Sequence, residues 1–306
     1  SNDSDHTGHG TMVAGLAIFG DEFPSTANDT YNAKSKVLSI KTIDQANDAV
    51  DFPALLEAIV SANKDYGVRI FNMSLVFDSP KQYNASYSDF AYELDRLSYE
   101  LDIIVFISVG NFNDTSLNDL LTTDFHPAHE YPEFFYSLDS DSHVHSCENT
   151  NICPPSDSLN NISVGALAGN LEGRESSDIT PLSVYPAYYT RKFNFDYTQE
   201  VNGTTLRRNR TNKYLNKPDF VFEGGDFHVE ESGMEVMTHE GEFYSRTAGT
   251  SLATPLIASM ATEVISIYPE LNIETVKALL MNSSSYKKSK NLPLFENEDN
   301  LLKKLI

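Results

Sequence analysis

The sequence predicts an α/β fold: a doubly wound, mostly parallel sheet with helices on both faces, in three layers. Short runs that are apolar throughout alternate along the chain with longer segments of helical periodicity. Continuous apolar runs are typical of strands buried on both faces, and their alternation with helices is typical of parallel sheets. The length of 306 residues and the apolar fraction of 40% allow a well-buried core, and we expect a single domain over residues 1–306.

The first part of the chain supplies strands and helices in alternation. The segment "FPALLEAIVSANKDYG" spaces its apolar residues three and four apart, as a half-buried helix does, and its final glycine, Gly67, is a helix stop. Taken in order, the pattern predicts a helix from His9, a strand at 34–43, a helix at 52–67, a strand at 68–77, a helix at 87–101 and a strand at 102–111.

The second part of the chain is less regular. Periodicity is lost at 112–160, where prolines interrupt acidic and aromatic residues, and this stretch predicts a long insertion loop within the domain. The pattern then predicts a strand at 161–169, the segment "KPDFVFEGG" at 217–225, an apolar helix that follows Ser251 and ends near Pro269, and an amphipathic helix at 273–284.

Composition excludes several classes of partner. Asp and Glu outnumber Lys and Arg by 44 to 22, and the net charge of −22 argues against nucleic acid and anionic lipid as partners. The longest apolar stretches fall short of the roughly 20 residues that a membrane helix needs, so we expect no membrane span. Cys147 and Cys153 are compatible with a small-loop disulfide, but two thiols alone establish neither a pairing nor a metal site.

Three short segments contain the residue types that nucleophilic catalysis needs. In "AGTSLATP" at 248–255, Ser251 comes just before a helix, where free backbone N–H groups and the helix dipole favour a developing anion. Pro255 is compatible with the first turn of that helix, in which N–H groups have no intrahelical partner. Taken alone, Ser251 is more simply explained as a helix-capping serine.

The other two segments are "HGTMVAG" at 9–15 and "SVGN" at 108–111. His9 stands at a helix start, where a neutral imidazole can act as a general base, although a lone histidine there is more often a surface or capping residue. Asn111 follows an apolar strand, which puts its amide at the carboxyl edge of a parallel sheet, where sites in such folds collect. A turn asparagine is the simpler explanation for Asn111 by itself.

Together, the order and local context of these motifs resemble the subtilisin-like serine proteases, the subtilases. The resemblance covers nearly the whole chain, with weaker matches at "IFNMSL", "NISVGAL" and "KPDFV". It implies a subtilisin-like fold, with Ser251 as the nucleophile, His9 as the general base and Asn111 as the oxyanion donor. It also implies that a substrate-binding cleft includes the residues Ser74, Leu75, Ser108, Val109 and Gly110, whose backbone groups pair with an extended protein or peptide substrate.

The resemblance carries further expectations. We expect no cofactor, and although calcium is common among subtilases, no acidic cluster in the sequence is specific enough to assign ligands. An extracellular or periplasmic location is favoured by the resemblance alone. The sequence gives no prediction of the oligomeric state.

The triad aspartate is the clearest departure from the family pattern. Subtilases order their triad as Asp, His and Ser, and only eight residues precede His9. Asp3 and Asp5 are the upstream carboxylates, and we do not expect either to orient His9. We therefore expect this chain to be a fragment, cut at its N-terminus and also at its C-terminus, and to be nearly inactive, since loss of the orienting aspartate lowers turnover by about four orders of magnitude.

Two further features leave alternatives open. Val76 stands where subtilases often have glycine, so its side chain narrows the cleft and the family's substrate preference cannot be transferred. A pseudoprotease, or a silent protease domain used to bind a partner protein, is the main alternative function. A serine hydrolase that acts on esters is the second alternative.

Overall fold

The structure, a computed structural model, describes the chain in several stretches. These are residues 5, 7–22, 32–44, 49–77, 79–111, 136–138, 144–146, 148–171, 176–180, 182–194, 200–201, 204–205, 212, 215–227, 230–239, 241 and 243–284. The α-helices are α1 (His9–Phe19), α2 (Phe52–Tyr66), α3 (Asp89–Leu101), α4 (Thr250–Ile267) and α5 (Ile273–Ser283). Short 3₁₀ turns lie at Gly20–Glu22, Glu148–Thr150 and Glu230–Ser232.

The strands are mostly short. They are β1 (Ile43–Asp44), β2 (Ala49–Val50), β3 (Ile70–Met73), β4 (Ile104–Ser108), β5 (Tyr136–Leu138), β6 (Val144–Ser146), β7 (Ile162–Leu167), β8 (Phe193–Asn194), β9 (Glu200–Val201), β10 (Thr204–Thr205), β11 (Asn216–Lys217), β12 (Phe220–Glu223), β13 (Met234–Met237) and β14 (Tyr244–Thr247). Ten of them pair as two-stranded antiparallel ladders: β1 with β2, β5 with β6, β8 with β11, β9 with β10, and β13 with β14.

The central sheet contains the other four strands, in the order β12-β7-β4-β3, and every neighbouring pair is parallel. Met73 of β3 pairs with Ile107 of β4, and Ser108 of β4 pairs with Val164 of β7. Because the strands are parallel, their carboxyl ends meet at one edge of the sheet.

Strand β4 shows why the fold has three layers. Its side chains alternate between faces, and every residue of the strand is buried. Ile104 and Phe106 pack in the cluster that contains α4 and α5, whereas Val105 and Ile107 pack in the cluster that contains α2 and α3. The predicted doubly wound α/β fold, with helices on both faces of a parallel sheet, is confirmed.

Local signals in the sequence set the helix bounds. The side chains of Asp51, Ser88 and Asn272 cap α2, α3 and α5 by accepting a backbone N–H three residues later. Gly67 ends α2 in the left-handed conformation, with φ of 70°, as predicted for a helix stop. The predicted helices at 52–67, 87–101 and 273–284 therefore agree with the structure to within about two residues.

The predicted strand at 34–43 is wrong over most of its length. Residues 34–42 form neither helix nor strand, and only Ile43 of the predicted segment is part of a strand. Ile40 packs against the core, whereas Val37 and Leu38 are exposed. The apolar pattern predicted a strand, but a strand needs a hydrogen-bonded neighbour, which a single segment cannot reveal.

The predicted insertion loop at 112–160 is structured at its end. Residues 148–160 are described, and most of them are buried, among them Asn151, Ile152 and Asp157. Ile152 packs in a small cluster with Tyr83 and Val109. This stretch therefore belongs to the core of the domain, and its lack of periodicity reflects irregular backbone that is held by specific hydrogen bonds.

Helix α4 is the central helix of the fold. Among the described residues it is the one helix that is long and apolar enough to cross a membrane by length and composition. More than half of it is buried inside the domain, where it packs on the sheet strands and on α1. Its apolar character is thus accounted for by packing in the core.

Candidate active site

The residues selected by the motifs come together at the carboxyl edge of the sheet. Ser74 directly follows β3, and Asn111 lies just beyond the end of β4. Ser251 is the second residue of α4, so it lies within the first turn and not before it. Hydrogen bonds join the start of α4 both to Ser74 and to Asn111.

Asn111 is oriented by Thr250. Its Oδ1 accepts the Thr250 backbone N–H at 2.9 Å and the Thr250 hydroxyl at 2.8 Å. Because the amide oxygen is occupied by two donors, Nδ2 is directed to the other side of the amide. A β-carbon at Gly249 would lie 3.2 Å from Asn111 Nδ2 and 3.2 Å from Ser251 Oγ. The amide donor and the hydroxyl therefore flank one small space above Gly249.

Ser251 is held through its carbonyl. An α-helical carbonyl normally accepts the N–H four residues later, but residue 255 is proline and has no N–H. The Ser74 hydroxyl donates to the Ser251 carbonyl at 2.9 Å, and Asn72 Nδ2 donates to Ser74 Oγ at 3.0 Å. Pro255 is the sixth residue of α4, so its expected place in the first turn is wrong, and Ser74 supplies the donor that the proline removes.

His9 is the first residue of α1 and is exposed. Its Nε2 lies 3.3 Å from the Ser74 carbonyl oxygen. A carbonyl oxygen only accepts, so this contact is a hydrogen bond only when Nε2 carries the proton. A general base must present an unprotonated Nε2 to the nucleophile, so the contact with Ser74 favours the opposite tautomer.

Asp5 holds the start of α1. Its carboxylate accepts the Thr11 N–H at 2.7 Å, the Thr11 hydroxyl at 2.8 Å and the Gly8 N–H at 3.0 Å. Partial burial raises the pKa of Asp5, but these hydrogen bonds outweigh it, so the net pKa lies below its usual value. The carboxylate thus accepts hydrogen bonds from the first residues of α1 and the residue before it. Asp3 lies outside the described residues.

Comparison with known proteins identifies the family. The model of the subtilase family matches residues 1–300. The chain belongs to the subtilases. Because the match spans nearly the whole chain, it includes all three motifs on which the resemblance was based.

The relatives of this subtilase are distant. The chain is 24% identical over 250 residues to the uncharacterized protein y4bN of Sinorhizobium fredii, a match that covers 74% of this chain and 51% of that protein. The chain thus spans about half the length of this curated relative. Its structure is similar to those of the S41 psychrophilic protease and of sphericase, each with a TM-score of 0.55 and 16% identity, over 91% of this chain and 70% of theirs. At that identity the likeness shows the subtilisin-like fold.

Two residues of the predicted substrate cleft, Ser108 and Val109, are buried. The Ser108 side chain is 3% exposed, and Val109 is 0% exposed in a core cluster, so neither side chain lines an open cleft. The Val109 N–H donates to the Val164 carbonyl, and the Val109 carbonyl accepts the Cys153 N–H, so this backbone is engaged within the protein. The resemblance assigns the cleft role to backbone groups of the segment 108–110, and that role stays a prediction.

The other three residues of the predicted cleft, Ser74, Leu75 and Gly110, lie near the candidate site. The Ser74 carbonyl lies next to His9 Nε2, and the Ser74 hydroxyl donates to the Ser251 carbonyl. Leu75 packs partly against the core layer of α2 and α3. Gly110 adjoins Asn111 and has φ of 92°, a left-handed conformation that favours glycine.

Two residues at the site gave no signal in the sequence. Arg191 is 6% exposed, and its Nε donates to the Asn111 carbonyl at 3.1 Å. The Tyr189 hydroxyl lies 2.9 Å from the carbonyl oxygens of Gly224 and Gly225, beneath the Gly249 loop. Burial raises the pKa of Tyr189 well above its usual value, so the hydroxyl stays protonated. Both residues come from an irregular stretch in which no motif or periodicity marks them.

The described residues offer no evident metal site. No group of three or more His, Cys, Asp or Glu side chains in these stretches is placed to hold a metal ion. Calcium also takes backbone and amide carbonyl oxygens as ligands, so the calcium site that the family suggests stays a prediction. Cys153 is buried, but Cys147 lies outside the described residues, so the small-loop disulfide with which the sequence is compatible lies outside them too.

Proposed function

We propose that this subtilase is a serine endopeptidase that hydrolyses peptide bonds in protein substrates, with Ser251 as the nucleophile, His9 as the base and Asn111 as an oxyanion donor. The observation that carries the proposal is the small space above Gly249. A β-carbon placed on Gly249 would lie 3.2 Å from both Asn111 Nδ2 and Ser251 Oγ, so both groups border this space. Oxyanion stabilisation requires donors at about 2.7–3.1 Å from the developing negative oxygen, close to the nucleophile.

The reaction follows from this arrangement. Ser251 Oγ attacks the substrate carbonyl carbon, and the carbonyl electron pair moves onto its oxygen, which accepts hydrogen bonds from Asn111 Nδ2 and the Ser251 N–H. His9 Nε2 takes the serine proton and gives it to the leaving amine as the C–N bond breaks. Water, deprotonated by the same nitrogen, then attacks the acyl ester and releases the acid and Ser251.

This mechanism requires a change at His9. The contact between Nε2 and the Ser74 carbonyl favours the Nε2-protonated tautomer, which cannot accept the serine proton. A carboxylate that accepts from Nδ1–H would favour the productive tautomer and stabilise the imidazolium. We propose that the full-length protein places such a carboxylate on Nδ1, and that without it turnover falls by about four orders of magnitude.

A fluorophosphonate probe on the full-length protein tests the nucleophile. The probe forms a covalent bond to an activated serine oxygen and releases fluoride. We expect the wild-type protein to be labelled and Ser251→Ala to take up no label. Ser266→Ala is the matched control, because Ser266 lies on the same helix and its hydroxyl donates to the Thr262 carbonyl one turn earlier. Labelling that persists in Ser251→Ala would show that the nucleophile is a different residue.

A silent, peptide-binding domain is the second candidate, and the Nε2 contact of His9 with the Ser74 carbonyl favours it. The two candidates differ in a measurable way. A binding domain retains affinity for extended peptides, takes up no fluorophosphonate and cleaves no peptide, even as the full-length protein. A protein that is labelled at Ser251 but hydrolyses only esters would support the hydrolase alternative instead.

A further inference from the structure

The P1 residue is the substrate residue that contributes the acyl group. The geometry of the site determines which part of the protein its side chain meets. In the proposed function, its carbonyl carbon lies against Ser251 Oγ and its oxygen points to Asn111 Nδ2. The P1 Cα is one covalent bond, about 1.5 Å, from that carbon. The P1 side chain therefore starts in the immediate neighbourhood of Asn111, and the residue that adjoins Asn111 on the sheet edge is Gly110.

The space over Gly110 is already occupied by two side chains. A β-carbon on Gly110 would lie 3.1 Å from Val76 Cγ2 and 3.1 Å from Arg191 Cδ. Carbon atoms in contact prefer separations of about 3.5–4.0 Å, so Val76 and Arg191 pack directly against Gly110 and leave no room for a side chain on Gly110 itself. Val76 and Arg191 reach this point from different segments, and together they cover the face of Gly110.

Arg191 is held in place by hydrogen bonds, and Val76 lies close in the chain to a residue that is hydrogen-bonded. Arg191 Nε donates to the Asn111 carbonyl at 3.1 Å, and its Nη1 donates to the carbonyls of Asn149 and Asn151 at 2.9 and 3.0 Å. Moving Arg191 aside would break these charge-assisted bonds in a largely buried setting, which is costly. Val76 is two residues from Ser74, whose hydroxyl is bonded to the Ser251 carbonyl.

We propose that Val76 and Arg191 close the P1 subsite, so that this subtilase cleaves after small residues such as glycine, alanine and serine and rejects aromatic and long aliphatic ones. The inference rests on the proposed function and deepens it, because it assigns a substrate class to the same site. Val76 and Arg191 are specificity-determining residues in this arrangement. A pocket that lacks room for one methylene discriminates between substrates by about 10–200-fold in kcat/KM. A phenyl ring is larger than one methylene, so discrimination against it is expected to lie at the upper end of that range or above it.

Peptidyl diphenyl phosphonates test the proposal in the full-length protein. These probes phosphonylate the serine oxygen with loss of phenoxide, and they differ here only in the P1 side chain, a methyl or a benzyl group. We expect the methyl probe to react at least about 100-fold faster than the benzyl probe. Val76→Gly should reduce that ratio by at least about tenfold by opening the space over Gly110. Val37→Gly, which replaces an exposed valine, should leave the ratio unchanged.

The outcomes separate this inference from the function on which it rests. Labelling of Ser251 by the fluorophosphonate together with equal rates for the two phosphonates would overturn the closed subsite and leave the protease intact. An unchanged ratio in Val76→Gly would overturn the role of Val76. Failure of every probe, including the fluorophosphonate, would overturn the proposed function and this inference with it.

Discussion

The hydrogen bond between Ser74 and Ser251, the proposed nucleophile, offers the sharpest test of how the candidate site is built. Pro255 removes the N–H that would serve the Ser251 carbonyl, and Ser74 Oγ donates to that carbonyl at 2.9 Å instead. We therefore expect Ser74→Ala to leave the Ser251 carbonyl without a donor. The same change removes the acceptor of Asn72 Nδ2, which lies 3.0 Å from Ser74 Oγ.

The expected cost can be worked from these contacts. A neutral hydrogen bond contributes about 0.5–1.5 kcal/mol net, and a buried group left without a partner costs about 1–3 kcal/mol. The Ser74–Ser251 contact is partly buried, so water can satisfy part of the loss. We expect Ser74→Ala to lower the free energy of unfolding by about 1–2 kcal/mol. The fluorophosphonate reaction should slow by about tenfold or more, since a displaced nucleophile loses its alignment.

A double-mutant cycle with Pro255→Ala isolates the cause. Alanine at 255 restores an N–H that can donate to the Ser251 carbonyl in the ordinary helical pattern. Ser74→Ala should then cost about 1 kcal/mol less in the Pro255→Ala background than in the wild type, whatever Pro255→Ala does by itself. The free energies come from urea unfolding of all four proteins, with unchanged m-values as the check on the unfolding model.

The result that would refute this reasoning is additivity. If the cost of Ser74→Ala is the same in both backgrounds within about 0.3 kcal/mol, Ser74 does not compensate for the missing N–H of Pro255. Ser74→Thr serves as the control that retains the hydroxyl. It should preserve most of the stability, and a loss as large as that of Ser74→Ala would assign the effect to packing instead of the hydrogen bond.

Three further predictions follow from the site contacts. Gly249→Ala should lower the fluorophosphonate rate by about 100-fold or more while changing stability by less than about 1 kcal/mol, because the methyl enters the space between Asn111 Nδ2 and Ser251 Oγ without needing a positive φ. Thr250→Val should lower peptidase turnover by about tenfold or more, because the Asn111 amide loses one of the two donors that orient it, whereas Thr250→Ser should not. Asp5→Ala should lower the free energy of unfolding by about 1 kcal/mol near neutral pH. The pKa of Asp5 is lowered in the folded state, so its stabilisation is present above the usual value of 3.8 and is lost as the pH falls through the lowered pKa.

Each of these has a result that contradicts it. An unchanged labelling rate in Gly249→Ala would mean that the space between the amide and the hydroxyl is not where the reacting oxygen lies. Equal turnover of Thr250→Val and Thr250→Ser would show that the hydroxyl does not orient Asn111. For Asp5, urea unfolding of wild type and variant near about pH 6 and about pH 3 is the measurement, and a difference that grows towards the acid would reverse the predicted sign.

Much of the fold followed from local patterns. Gly67 marked the end of α2 because a residue without Cβ adopts the left-handed conformation at low cost. The apolar run of β4 indicated a strand that is buried on both faces, and its alternate residues contact different helical layers. These features depend on neighbours in the chain, so the sequence contains enough information to predict them.

The segment at 34–43 shows where such reasoning stops. Its apolar residues predict an extended backbone, but a strand depends on a partner that the segment itself does not encode. The irregular stretch at 148–160 shows the converse. It has no periodicity, yet Asn151 and Asp157 are buried, because side-chain and backbone hydrogen bonds replace the regular ladder.

The sequence by itself determined the family and the residue types at its site, because His9, Asn111 and Ser251 each stand in a short motif whose spacing does not depend on the rest of the chain. Only the tertiary structure decided what surrounds them. Ser74 donates to a carbonyl 177 positions away, and Arg191 covers Gly110 from a segment 81 positions away, the difference between 191 and 110. Such contacts form because the parallel strands end at one edge of the sheet, and distance along the chain carries no information about which side chains meet there.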